Sequence, residues 1–216
     1  MPNWVFNNLT VTGEWSDVDR FFVQAREPHM EFHKKLTVDE NGETAFVKEA
    51  DWIRQPLSFW NFVRPEDEIL NEYYGDEDNS LSLEEKLQHK TNHWYDWNIR
   101  NWGCKWDASD VHVDDSLNGQ ISYQFDTPWS PPVEAFQAMV SQFPTLRFTL
   151  RSVEEQGWGA EYDGTEGRVL LVSDWDIPET HAESIEHKGW CNCEEYGEDE
   201  LEYMYDDCPK KVEANG

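Results

Sequence analysis

The chain has 216 residues, of which 14% are aromatic and twelve are tryptophan, and it carries a formal net charge of −28. That length suits one large domain, or one domain with a substantial insertion, and the aromatic content excludes wholesale disorder. The charge excludes a simple phosphate-binding surface for DNA or RNA and predicts attraction to basic surfaces instead.

Trp4 to Thr12 reads as a strand rich in β-branched and aromatic residues, ended by Gly13. Ser16 reads as a helix N-cap with Asp17 and Asp19 in the first turn, and Val18, Phe21, Phe22 and Ala25 continue at helical spacing until Pro28. Residues 28–92 show no long period. Ala50 to Ile53 and Leu57 to Val63 are apolar islands, Asp67 to Tyr74 and Ser82 to Asn92 read as short helices, and an acidic turn lies between them. The stretch up to about residue 106 is expected to be an insertion. Within it, Trp94, Trp97, Trp102 and Trp106 fall in thirteen residues.

Asp107 to Asp114 reads as a strand, and Leu117-Asn118-Gly119-Gln120 as a hairpin turn. Ile121 to Asp126 alternates cleanly. Val133 to Phe143 reads as a helix, Leu146 to Val153 as an alternating strand, and Arg168 to Trp175 as one more strand. The order predicts an α+β fold: a ferredoxin-like βαββαβ sandwich over residues 1–178, with an insertion at about 28–106 after the first helix. Residues 179–216 form an acidic C-terminal extension.

Three segments resemble a family of unknown function carried by phages and plasmids, the YubB-like family. They are the opening Met1 to Gly13, the central run Trp97 to Asp107, and the glycine-aromatic turn Glu154 to Tyr162. The resemblance covers about residues 1–175. It implies a ferredoxin-like fold and a mobile-element origin. The family has no assigned catalytic residues, so none carry over.

No stretch of about 18 apolar residues is present, so no membrane span is expected. The start, Met1-Pro2-Asn3-Trp4, lacks the basic residues and apolar core of a secretion signal. The expected location is the cytoplasm of a host bacterial cell. The four cysteines are then expected as thiols or metal ligands rather than disulfides.

Four sets of residues are candidate sites. Trp97, Asn98, Asn101 and Trp102 form a candidate pocket, although their first expected role is to pack the insertion on the sheet and satisfy backbone groups. His187, Cys191, Cys193 and Cys208 form a candidate zinc set; no cofactor is otherwise expected. The pairs His29/His33 and His89/His93 stand four residues apart without a metalloprotease motif.

The tail is the other strong signal, read either as a solubilising surface or as a contact surface. Residues 151–216 hold nineteen acids against five bases. Glu194, Glu195, Glu198, Asp199, Glu200, Glu202, Asp206 and Asp207 lie among Tyr196, Leu201, Tyr203, Met204 and Tyr205. Carboxylates set among aromatics suit a contact surface that imitates phosphates, with Asp76, Glu77 and Asp78 as a second patch. The expected activity is therefore non-enzymatic: binding of a basic or nucleic-acid-binding host protein, with no direct contact to nucleic acid. A metal-dependent or nucleic-acid-processing enzyme using the Trp/Asn pocket, and a structural phage protein, are the alternatives.

Overall fold

In the computed structural model, which describes residues 3–38, 42, 44–66, 94–114, 119–191, 205 and 207–209, the first strand is the organising element. β1 (Trp4–Thr12) is followed by α1 (Trp15–Ala25), then by a hairpin of β2 (His29–Val38) and β3 (Thr44–Ile53). A 3-10 turn (Phe59–Asn61) and α2 (Trp94–Trp102) come next. The chain continues through β4 (Ser109–Asp114), β5 (Gln120–Pro128), α3 (Val133–Gln142), β6 (Arg147–Glu154), β7 (Gly159–Thr165), β8 (Arg168–Trp175) and α4 (His181–Lys188).

Six strands form one sheet in the order β4-β5-β1-β6-β7-β8, every pair antiparallel. β1, α1, β4, β5, α3 and β6 make up the expected βαββαβ unit, with β1 between β5 and β6. The fold is ferredoxin-like, with β7 and β8 added beyond β6.

Period-2 alternation places the core on one face of this sheet. Val5, Leu9 and Val11 point inward from β1, Ile121, Tyr123 and Phe125 from β5, and Phe148 and Leu150 from β6. Helices α1 and α3 cover that face with Val18, Phe21 and Ala25, and with Ala135, Phe136, Met139 and Val140. The Phe21 ring lies 5.2 to 6.1 Å from the rings of Phe62, Tyr123, Phe143 and Phe148. Such clusters of stacked and edge-to-face rings add to simple area burial.

One inward position of β1 is polar. Asn7 is 1% exposed. Its amide donates to the Val5 and Phe125 carbonyls and to Thr127 Oγ1, and its oxygen accepts from the Ser152 hydroxyl. The three central strands are thus pinned in register by one satisfied amide.

The structure departs from expectation in four places. Helix α1 begins at Trp15 with Glu14 at the cap, so Ser16 lies inside the first turn and caps nothing. The stretch after Pro28 holds the β2–β3 hairpin, in register from His29↔Ile53 to Val38↔Thr44. The tryptophan run, given no element in the sequence reading, starts as a helix. Residues 159–165 form β7 where a turn was expected, and α4 follows the last strand. The predicted helices at 67–74 and 82–92 lie outside the described residues.

The chain leaves α2 at Gly103, whose φ of +86° favours glycine. Its N–H donates back to the Asn98 and Ile99 carbonyls. A Cβ here would meet the Val133 backbone nitrogen at 2.9 Å and the Pro131 oxygen at 3.0 Å. Close approach of α2 to the start of α3 therefore requires this residue.

Candidate functional site

Helix α2 presents Trp94, Asn98 and Trp102 along one face, because residues four apart stack on a helix. Opposite them stand His29 at the start of β2, Trp60 from the 3-10 turn, and Trp106, Asp107 and Ala108 from the segment leading into β4. Together they line a cavity of about 300 Å³. Its walls are cross-braced: the Asn98 amide donates to the Lys105 carbonyl at 2.7 Å, and Trp102 Nε1 donates to the Val63 carbonyl at 2.9 Å.

Of the expected pocket residues, Asn98 and Trp102 line this cavity. Trp97 and Asn101 do not. Trp97 is buried edge-on against Trp102, with ring centroids 5.6 Å apart, and Asn101 donates to the Trp97 carbonyl. The helix puts 97 and 101 on another face. Trp94, Trp60, His29 and Asp107 were missed because their convergence depends on the hairpin and on where the 3-10 turn falls.

Two polar groups give the cavity chemical character. Asp107 Oδ1 accepts from the Phe59 and Ala108 N–H groups, both at 2.7 Å, and Oδ2 accepts from the Ser58 hydroxyl at 2.5 Å. Burial lifts its carboxyl above the ordinary carboxylate value, while these hydrogen bonds and nearby His29 pull the other way. His29 is 3% exposed, and its Nδ1 has no hydrogen-bond partner. An aromatic-walled cavity with a carboxylate in its lining suits a small cationic or planar group.

Beside the cavity mouth, the Lys105 ammonium lies 4.6 Å from the ring of Trp106, 4.9 Å from Trp129, 5.5 Å from Tyr95 and 6.0 Å from Trp94. The chain's own cation therefore fills an aromatic cage. Trp129 reaches it from a backbone with φ of +63°, a left-handed conformation that is strained for a bulky residue.

The expected acidic contact residues fall mostly outside the described residues: Glu194, Glu195, Glu198, Asp199, Glu200, Glu202 and Asp206, and likewise Asp76, Glu77 and Asp78. Asp207 is described. Its carboxylate accepts from the His181 N–H at 2.7 Å and the Ala182 N–H at 3.4 Å, which caps α4. The His181 N–H bond is the main reason its carboxyl is held below the usual value.

The cysteine expectation is altered in one ligand. Cys191 and Cys208 do come together, both buried, but with His181 rather than His187. The two histidines are six residues apart on α4 and face different ways. The His187 ring lies 5.2 Å from Trp175, and its carbonyl accepts from Arg151. Cys193, His33's side chain, His89 and His93 lie outside what is described. A sequence signal for α4 did exist: Thr180 and Glu183 form a capping pair, and Gly189 stops the helix in the left-handed region.

Among the described residues, no helix is long and apolar enough to cross a membrane. No curated protein matches the chain. The crystal structure of protein api92 from Yersinia pseudotuberculosis is similar at 11% identity and a TM-score of 0.44, covering 82% of this chain and 99% of that one. Residues 101–206 match a family model described as a ferredoxin-like domain in Api92-like protein. That match runs past residue 178 into the acidic extension, beyond the span the sequence resemblance was expected to cover. From the end of α2 through α4, therefore, the chain is similar to the ferredoxin-like domain of Api92-like proteins.

Proposed function

We propose that this is a non-enzymatic accessory protein of a phage or other mobile element that binds a host protein through an acidic, nucleic-acid-imitating surface. Its target is a basic, nucleic-acid-binding component of the host's defence against phage, met in the host cytoplasm. The observation that carries this reading is the charge: −28 over 216 residues, with nineteen acids against five bases after residue 150. Such a field steers a basic partner from a distance and makes capture fast and salt-sensitive. The resemblance to phage- and plasmid-borne proteins supports the origin.

The test is capture from host lysate by the tagged full chain, repeated with duplex DNA as competitor and in about 0.5 M salt. A nucleic-acid-binding protein that is captured, displaced by DNA and lost in salt is the expected result. A companion variant changes Glu194, Glu195, Glu198, Asp199, Glu200 and Glu202 to amides. Undiminished capture by that variant, or a partner that DNA leaves in place, refutes the reading.

A second reading, a metal-dependent or nucleic-acid-processing enzyme, is favoured by the aromatic cavity that Asn98 and Trp102 line. It predicts an activity that Trp60→Ala abolishes while the fold is retained.

A further inference from the structure

We propose a zinc site made by His181, Cys191 and Cys208, which ties the end of the chain to α4. The ligand atoms of the three residues all lie within 4.8 Å of one another. Zinc bonded to thiolate sulfur at about 2.3 Å and to imidazole nitrogen at about 2.0 Å needs donors roughly 3.5 to 3.8 Å apart, so small side-chain adjustments suffice.

Three further observations point to a ligand there. His181 Nδ1 is buried and has no hydrogen-bond partner, a costly state for a ring nitrogen unless something accepts its lone pair. Cys191 and Cys208 are 1% and 0% exposed and form a small cluster of their own with Tyr205, apart from the main core. Among the described residues, these two thiols and one ring supply little apolar area to hold this segment by packing alone. Lastly, Asp207, next to Cys208, fixes the His181 backbone by accepting its N–H.

Two sulfurs and one imidazole nitrogen are a borderline-soft donor set. That set favours zinc over magnesium or calcium, which take oxygen, so the abundant surface carboxylates are not competitors for the same ion. The proposal requires only these three described ligands, and it is independent of the partner reading.

The experiment uses the full chain, expressed with added zinc and purified without chelator. Metal content is read by plasma mass spectrometry. The metal is then replaced by Co(II), and the thiolate-to-cobalt charge-transfer band is recorded. About one zinc per chain is expected, together with a band that Cys208→Ser cuts by about half, since one of two cobalt–sulfur bonds is lost. His181→Ala should weaken zinc binding by about tenfold or more while the band persists, and His187→Ala should change neither. If Cys208→Ser fails to fold, the unaltered chain and His181→Ala still decide the matter. Zinc-free protein, a Cys191–Cys208 disulfide in the freshly purified chain, metal bound without a thiolate band, or His181→Ala binding as tightly as the parent would each overturn the site.

Discussion

Replacing Asp107 separates the worth of its hydrogen bonds from the cost of its charge. Ser58 and Phe59 are fully buried and Ala108 is 4% exposed, and all three donate to this carboxylate at 2.5 to 2.7 Å. Asp107→Ala leaves three donors without an acceptor. An orphaned buried donor costs about 1–3 kcal/mol, and relief of the desolvated charge offsets part of the sum, so the expected net loss is about 3 kcal/mol. Asp107→Asn keeps an oxygen for the two N–H groups, and its NH2 donates to Ser58 once that hydroxyl turns to accept. It should lie within about 1 kcal/mol of the parent at neutral pH.

The pH dependence has a definite sign. Burial raises the folded pKa above the ordinary 3.8. The stability this confers is fully present below that value and is lost as pH rises through the folded pKa. The asparagine variant has no such loss, so its stability relative to the parent should improve across that window and then level off. Urea unfolding followed by tryptophan fluorescence gives the midpoints from acid to neutral pH. Equal stability of the Ala and Asn variants, or an Asn variant that loses ground as pH rises, would refute the account.

Three other substitutions or probes test separate parts of the structure. Asn7→Ala strands the Ser152 hydroxyl and should cost about 2 kcal/mol in urea unfolding; Asn7→Asp should cost more, because its carboxylate would face the Val5 and Phe125 carbonyls. Gly103→Ala combines a left-handed backbone with a Cβ driven into Val133 N, Pro131 O and the Glu134 carboxylate, and a loss of about 2 kcal/mol or more in thermal unfolding is expected. Cys104 is buried, and burial first, then Asp107 and Glu134, push its thiol well above the ordinary value. It should therefore resist alkylation at neutral pH until the chain unfolds, as read by peptide mass mapping.

The parts of the fold that were legible in sequence are those with one face in the core. β1, β5 and β6 alternate because their inner residues are buried and their outer ones are not, and α1 and α3 repeat at helical spacing for the same reason. Among the described residues β2 and β3 pair with each other and leave Leu36, Val38 and Trp52 exposed, so they lack the inward apolar residues that mark β1, β5 and β6. β7 overlaps the segment 154–162 read as a glycine-aromatic turn, and it holds Gly159 and Gly164. Both glycines sit where another side chain fills the space a Cβ would need, the Trp175 ring at 2.6 Å from one and Val140 against the other. The cavity was half legible: spacing gave Asn98 and Trp102, but only the helical twist of α2 selects Trp94 over Trp97. For the cysteines, spacing alone could not choose between two histidines at opposite ends of a short helix.

β8 lies at the edge of the described sheet, with β7 as its one strand neighbour, and presents Leu170, Leu171 and Val172 in succession, all about half exposed or more. An edge that no described strand covers, carrying three exposed apolar side chains, is a template for a second copy of itself. Two chains of charge −28 repel as they approach. The reach of that repulsion shrinks from about 10 Å at 0.1 M salt to about 3 Å at 1 M. Charge is then a colloidal guard on this fold. Raising ionic strength, rather than heating, should be what first brings the chains together into larger particles.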